Sequence, residues 1–136
     1  MALYESYRIS EKLIFISGQL PFLNNKILCA GKIGQKLSEN DGKTAIRQAT
    51  CNLLLTLSLA IKENKLDSKK VKMLNLKGYI NSSSQFSNHS EILNEASAMI
   101  ISVLGKKNGM HSRSVLGVNS LPLNSSVEIE GILSIF

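Results

Sequence analysis

The chain has little with which to hold a metal or build a disulfide framework: its 136 residues include two cysteines, two histidines and no tryptophan. Cys29 and Cys51 do not form a Cys-x-x-Cys pair and have no histidine pair beside them. Both are expected to be free thiols, Cys51 as a small buried apolar residue on a helix. His89 and His111 stand apart from any ligand cluster, so no metal and no organic cofactor is signalled. Long hydrophobic runs are also missing. The longest, Leu53 to Ile61, is interrupted by Thr56 and Ser58 and falls well short of the roughly 18 residues that a membrane-spanning helix needs. The opening Met1-Ala2-Leu3-Tyr4-Glu5 lacks the basic, apolar and small-residue succession of a secretory leader, so a cytoplasmic location without membrane attachment is expected. The net charge of +6, with lysines at 62, 65, 69, 70, 72, 106 and 107, admits an anionic partner. No aromatic residues interleave with these lysines to stack bases, however, and nucleic acid is not the expected partner.

What is present fits one compact domain over 1–136, with 43% hydrophobic residues to fill a single core. Leu13-Ile14-Phe15-Ile16, ended by Ser17-Gly18, reads as a strand paired with Ser6 to Ser10 through a turn near Glu11-Lys12. Residues 19–37 carry Pro21, Asn24-Asn25, Gly31 and Gly34, turn formers that predict a loop with at most a short strand near Lys26 to Cys29. Ser38 and Asp41 have capping-box spacing, and Ala45, Ala49, Leu53, Leu57 and Ile61 repeat at helical period up to a close at Leu66-Asp67. Val71 to Asn81 lacks that period and predicts a central strand. Ser87 or Asn88 can cap a second helix with the stripe Ile92, Ala96, Met99 or Ile100, and Val103, stopped by Gly105. Ser114 to Val118 and Ser126 to Ile135 are expected to form a closing strand pair. The last alternates Val127, Ile129, Gly131, Leu133 and Ile135 with polar positions, as a strand with one buried face does. The order ββαβαββ predicts an α+β fold with two helices packed on one face of a mixed sheet.

The most informative stretch is Gly109-Met110-His111-Ser112-Arg113-Ser114-Val115-Leu116-Gly117-Val118, followed by Leu121-Pro122 and Val127-Glu128-Ile129-Glu130. It sets a permanent cation and an acceptor on successive strand-like segments, the ingredients of a carboxylate-reading pocket. Arg113 has two readings: a bidentate carboxylate anchor, or a cross-strand partner of Glu128 or Glu130. Glu128 and Glu130 share a strand face, and spacing does not choose between them. His111 places an imidazole two residues before Arg113 and is a further candidate.

Arg113-Ser114-x-x-x-Val118-x-x-Leu121-Pro122 with Val127-Glu128-Ile129-Glu130 resembles the C-terminal signature of the RidA/YjgF family, also called the endoribonuclease L-PSP family. The resemblance continues upstream through Ile16-Ser17-Gly18-Gln19-Leu20-Pro21, Gly31-Lys32-Ile33-Gly34, the Ala45 to Leu55 helix, Gly78-Tyr79-Ile80-Asn81-Ser82, and Phe86 with Leu93-Asn94-Glu95-Ala96-Ser97, in order and at similar spacing. Gly109-x-His111-x-Arg113-Ser114 is similar to a subgroup with a longer loop over 105–112. The resemblance implies a chorismate-mutase-like fold and a homotrimer with ligand clefts between subunits. It also implies hydrolysis of reactive enamines or imines of 2-amino acids to 2-keto acids and ammonia, with no cofactor. Arg113 would bind the substrate carboxylate and Glu128 would hold or activate water. Tyr4, Ser17, Gly18, Asn94 and the main chain of Val115 would line the pocket, with His111 a further candidate. The family's cysteine is Val115 here, which removes thiol chemistry. A non-catalytic binder of small carboxylates or keto acids and, last, an endoribonuclease are the competing expectations.

Overall fold

The structure is a computed structural model that describes residues 2–136. Strand β1 (Tyr7–Ser10) turns through Glu11-Lys12 into β2 (Leu13–Gln19), with Ser10 opposite Leu13 and Glu11 in the left-handed region at φ 52°. The predicted loop over 19–37 contains only a two-residue ribbon, β3 (Phe22–Leu23) against β4 (Lys26–Ile27). Helix α1 (Glu39–Glu63) starts on the expected capping box: Ser38 Oγ accepts from the Asp41 N–H at 3.1 Å, and Asp41 Oδ2 accepts from the Ser38 N–H at 2.9 Å. The helix stops at Glu63, short of Leu66-Asp67. The Asn64 amide caps the Ala60 carbonyl at 2.9 Å, and Lys65 then turns left-handed at φ 53°. Asp67 instead accepts from the Lys69 N–H and starts the 3-10 turn Ser68–Lys70.

Strand β5 (Val71–Asn81) leads to helix α2 (His89–Leu104), the short helix α3 (Lys106–Gly109), β6 (Ser112–Val118), a 3-10 turn (Pro122–Asn124) and β7 (Val127–Ile135). The main sheet runs β1-β2-β7-β5-β6. Parallel β5 and β6, joined across the sheet by α2, make its one βαβ unit, and the other pairs are antiparallel. The final two strands therefore do not pair with each other. β5 lies between them, because the chain after β6 crosses over β5 to enter on its far side.

Both helices lie on one face, over Ile14, Met73, Leu76, Ile80, Ile129 and Leu133, all at most 2% exposed. The opposite, open face carries Phe15, Lys77, Tyr79, Glu128, Glu130 and Ile132. On α1 the buried positions run Ala45, Ala49, Leu53, Leu57 and Ala60, with Ile61 only half-buried. Cys51 is exposed, not buried, because it is two residues from both Ala49 and Leu53 and so about 200° around the helix from them. The α2 stripe likewise steps Ile92, Ala96, Ile100 and half-buried Leu104, leaving Val103 61% exposed. Asn88 occupies the N-cap of α2 without capping it, since its amide donates to Glu39 Oε1 at 2.9 Å and ties the two helix starts together.

Where the loop over 105–112 was expected, α3 folds back on α2. Gly109 is buried there, and a Cβ on it would stand 2.6 Å from the Ile101 Cα, a backbone atom that cannot move alone. Gly109→Ala is expected to destabilise the protein by about 1–3 kcal/mol, as overpacking a tight contact does, read as a lower midpoint in urea unfolding.

Candidate functional site

Residues level with one another across the sheet point the same way. Arg113 of β6 is level with Leu76 of β5 and, one strand further, Gly131 of β7. Leu76 is fully buried, and a Cβ on Gly131 would meet Met73 and Leu53, so this row faces the helices. Glu128 is level with Tyr79 and Leu116, three positions along, and that row faces the open side. Two strand spacings, about 10 Å, and a further 10 Å or so along the strands separate Arg113 from Glu128. Arg113 and Glu128 thus stand on opposite faces, and within one protomer they do not converge on a small ligand.

Half-buried Arg113 lies against α2, where Nη1 donates to Ser97 Oγ at 3.0 Å and Nη2 to Asn94 Oδ1 at 2.8 Å, with a longer contact to the Ser90 carbonyl at 3.4 Å. All three acceptors are neutral. The ion pairs among the described residues are Lys43 with Glu39 and Arg47 with Glu95, so the Arg113 charge has no carboxylate within 4 Å. The cross-strand pair with Glu128 or Glu130 does not form. Asn94 is brought to the arginine by the packing of α2 on β6. Val115 is level with Gly78 and packs its half-buried side chain on the core.

The open face gathers the carboxylates. Tyr79 donates its hydroxyl to Glu130 Oε1 at 2.6 Å, and this bond, then burial, then the two glutamate charges push the phenol up to about 12. Glu130 is thereby engaged, whereas half-buried Glu128 carries no side-chain partner among the described residues. Burial, followed by the charge of Glu130, raises the Glu128 carboxyl above its ordinary range. A hollow of about 200 Å3 lined by Phe15, Asn75, Lys77, Glu130 and Ile132 opens on this face.

Gly18 meets Glu128 at a bulge. The β2–β7 ladder pairs Ile16 with Gly131 and next Gln19 with Ile129, so Ser17-Gly18 carries one residue too many and leaves the ladder. A Cβ on Gly18 would fall 2.3 Å from Glu128 Oε1. Ser17 does not turn its hydroxyl to a cleft: Oγ donates to the Glu5 carbonyl at 2.6 Å, which tethers the N-terminal segment. Tyr4, one residue before that tether, is 72% exposed, and it is not among the hydrogen-bond partners of Arg113. His111 turns inward, its Nε2 3.0 Å from Ser97 Oγ. Among the described residues no three His, Cys, Asp or Glu side chains gather as a metal site.

Ser97, Ser90 and Tyr79 join the site without having been read from the sequence as site residues. For the first two a signal existed: Ser90, Asn94 and Ser97 follow at i, i+4 and i+7, a polar stripe beside the apolar one on α2. Tyr79 gave none, because its pairing with Glu130 depends on the register of two strands about 50 residues apart.

The match to known proteins spans residues 1–132 and is to the family described as "YjgF/chorismate mutase-like, putative endoribonuclease". The chain belongs to this family. It is similar to protein TCP17 of Trypanosoma cruzi, at 31% identity over 97% of this chain and 81% of that one. A solved protein of unknown function from Agrobacterium tumefaciens superposes with a TM-score of 0.92 at 33% identity, covering 99% of this chain and 83% of that chain. A solved "putative endoribonuclease" of Shewanella oneidensis gives 0.89 at 29% identity, covering 99% and 88%. The YjgF-type α+β architecture, two main helices on a mixed sheet, is therefore that of this protein. No helix among the described residues is long and apolar enough to cross a membrane.

Because the atom that Gly18 excludes is the mobile end of a side chain, Gly18→Ala should leave the unfolding free energy within about 0.5 kcal/mol of wild type while displacing the Glu128 carboxylate. In a 13C spectrum of labelled glutamate, the Glu128 carboxyl signal should shift and its titration move toward the ordinary glutamate range.

Proposed function

We propose that this protein hydrolyses reactive imines, and the enamines in equilibrium with them, of 2-amino acids, giving 2-keto acids and ammonia in the cytoplasm. The observation that carries this reading is the Arg113 guanidinium, fixed in direction by neutral acceptors and left with its charge uncompensated. A cation held in this way is oriented for a carboxylate from outside the chain.

In the reaction Arg113 binds the substrate carboxylate and presents the C=N carbon. Ionised Glu128 accepts a proton from water as the water oxygen bonds to that carbon. Glu128 passes that proton to nitrogen, giving the neutral carbinolamine; the hydroxyl proton then moves through Glu128 to the amine as the C–N bond breaks and C=O forms, so ammonia leaves and the keto acid remains on Arg113. A raised carboxyl pKa makes Glu128 a stronger base than an ordinary glutamate. Since such imines hydrolyse unaided, orientation supplies much of the acceleration. The two residues occupy opposite faces of one sheet, so the reading requires a second copy: each cleft takes Arg113 from one protomer and Glu128 from its neighbour, in a closed ring of three.

The same separation favours a second reading, a non-catalytic binder of small keto acids, because a lone protomer offers Arg113 without Glu128 beside it. Ammonia and keto-acid release from imines generated in situ decides between them. Arg113→Ala should lower kcat/KM about a hundredfold, the worth of roughly 3 kcal/mol of charge-assisted bonding. Glu128→Gln should lower kcat by about 10² or more while pyruvate still binds within about threefold of wild type. No acceleration by the wild-type protein, with pyruvate binding intact, selects the binder.

The pH profile gives a separate check. Because the Glu128 carboxyl is raised, it protonates at higher pH than an ordinary glutamate, and activity falls as pH drops through that raised value. The acid limb of kcat/KM should therefore lie above the ordinary carboxylate range in wild type and be absent in Glu128→Gln.

A further inference from the structure

Arg113 is held by Ser97, and Ser97 is held in turn. His111 Nδ1 lies 2.6 Å from the Gly109 carbonyl oxygen, which can only accept, so Nδ1 carries the proton. In the neutral ring Nε2 is then an acceptor, and it faces Ser97 Oγ at 3.0 Å. Arg113 can only donate, so the bond from its Nη1 uses a lone pair of the same Oγ and leaves the hydroxyl hydrogen for His111. With the imidazole neutral, every polarity in the chain Gly109 carbonyl, His111, Ser97, Arg113 follows from its two ends.

We propose that Ser97 and His111 are positioning residues that fix the Arg113 guanidinium in its ligand-binding orientation, and that the segment 105–112 exists to complete this brace. The proposal rests on the reading of Arg113 as the carboxylate anchor. Three features of the segment serve the brace. Gly105, at φ 82°, ends α2; α3 returns the chain; and Gly109, packed on the Ile101 backbone, sets its carbonyl under the imidazole. His111 just before β6 and Arg113, its second residue, are both half-buried, and both reach Ser97. With Nη1 fixed by Ser97 and Nη2 by Asn94, the guanidinium plane cannot turn without breaking a bond at either end. This is preorganisation of the kind that lowers the entropy lost when a ligand binds.

The test begins without ligand. In 15N spectra of the full-length protein, His111 should show the Nδ1–H tautomer, and the Arg113 Nη groups should rotate slowly. Ser97→Ala should free that rotation, and Ser97→Thr, which keeps the hydroxyl, should restore it. His111→Phe should free it as well, while His111→Gln, whose side-chain oxygen can accept from Ser97, should restore most of it. Pyruvate affinity measured by calorimetry should weaken about tenfold in Ser97→Ala and in His111→Phe, and recover in the two conservative variants. An Nε2–H tautomer, equally fast rotation in wild type and Ser97→Ala, or a Ser97→Thr no better than alanine overturns the brace. Unchanged pyruvate binding in Arg113→Ala, when the wild-type protein shows the Nδ1–H tautomer and the slow rotation, overturns the carboxylate reading instead and removes the brace's role in ligand binding.

Discussion

The position of β5 between antiparallel β7 and parallel β6 is the constraint on which the rest of the molecule depends. Its register fixes which residues stand level: Arg113 with Leu76 and Gly131 on the helix side, and Glu128 with Tyr79 and Leu116 on the open side. A slip of one residue on either edge would exchange the two faces, burying a carboxylate under the helices or turning the arginine away from α2. The apolar side chains Met73, Leu76, Ile80, Ile129 and Leu133 hold the register, because any other pairing exposes them. Core packing and the placement of charge are thus one property of this sheet.

The two faces treat charge differently. Beside the helices a cation is immobilised by a hydroxyl, a side-chain amide and a carbonyl, which direct it without cancelling it. On the open face two carboxylates lie on one strand; a tyrosine hydroxyl engages Glu130, and partial burial leaves Glu128 more basic than an exposed glutamate. Neither face alone brings Arg113 and Glu128 together. The proposed reaction needs them in one cleft, which apposing different faces of neighbouring copies would provide.

Much of the local structure was legible in the sequence because local interactions decide it. The Ser38/Asp41 box starts α1, the two-residue turn at Glu11-Lys12 makes the first hairpin, Gly105 ends α2, and the limits of β5 fall at Val71 and Asn81. The departures lie where periodicity leaves a choice. Cys51 and Val103 are apolar residues that lie off the buried stripe, and only the packed neighbours show which side of the helix is covered. Asn88 had the chemistry of a cap but was drawn to Glu39 by the approach of the two helix starts.

By itself the sequence determined the order of the main strands and of the two long helices, the YjgF-type architecture and the chemistry on offer: an arginine two residues after a histidine, two alternate glutamates, and a glycine at the end of a strand. It determined these because helical period, strand alternation, capping and motif spacing act over a few residues. Only the tertiary structure decided that β6 and β7 are parted by β5, that Arg113 and Glu128 face opposite ways, that Gly18 leaves room for one carboxylate oxygen, and that Ser97 joins His111 to Arg113. Each of these depends on register and on contacts between distant segments, which are set when the whole core closes around β5.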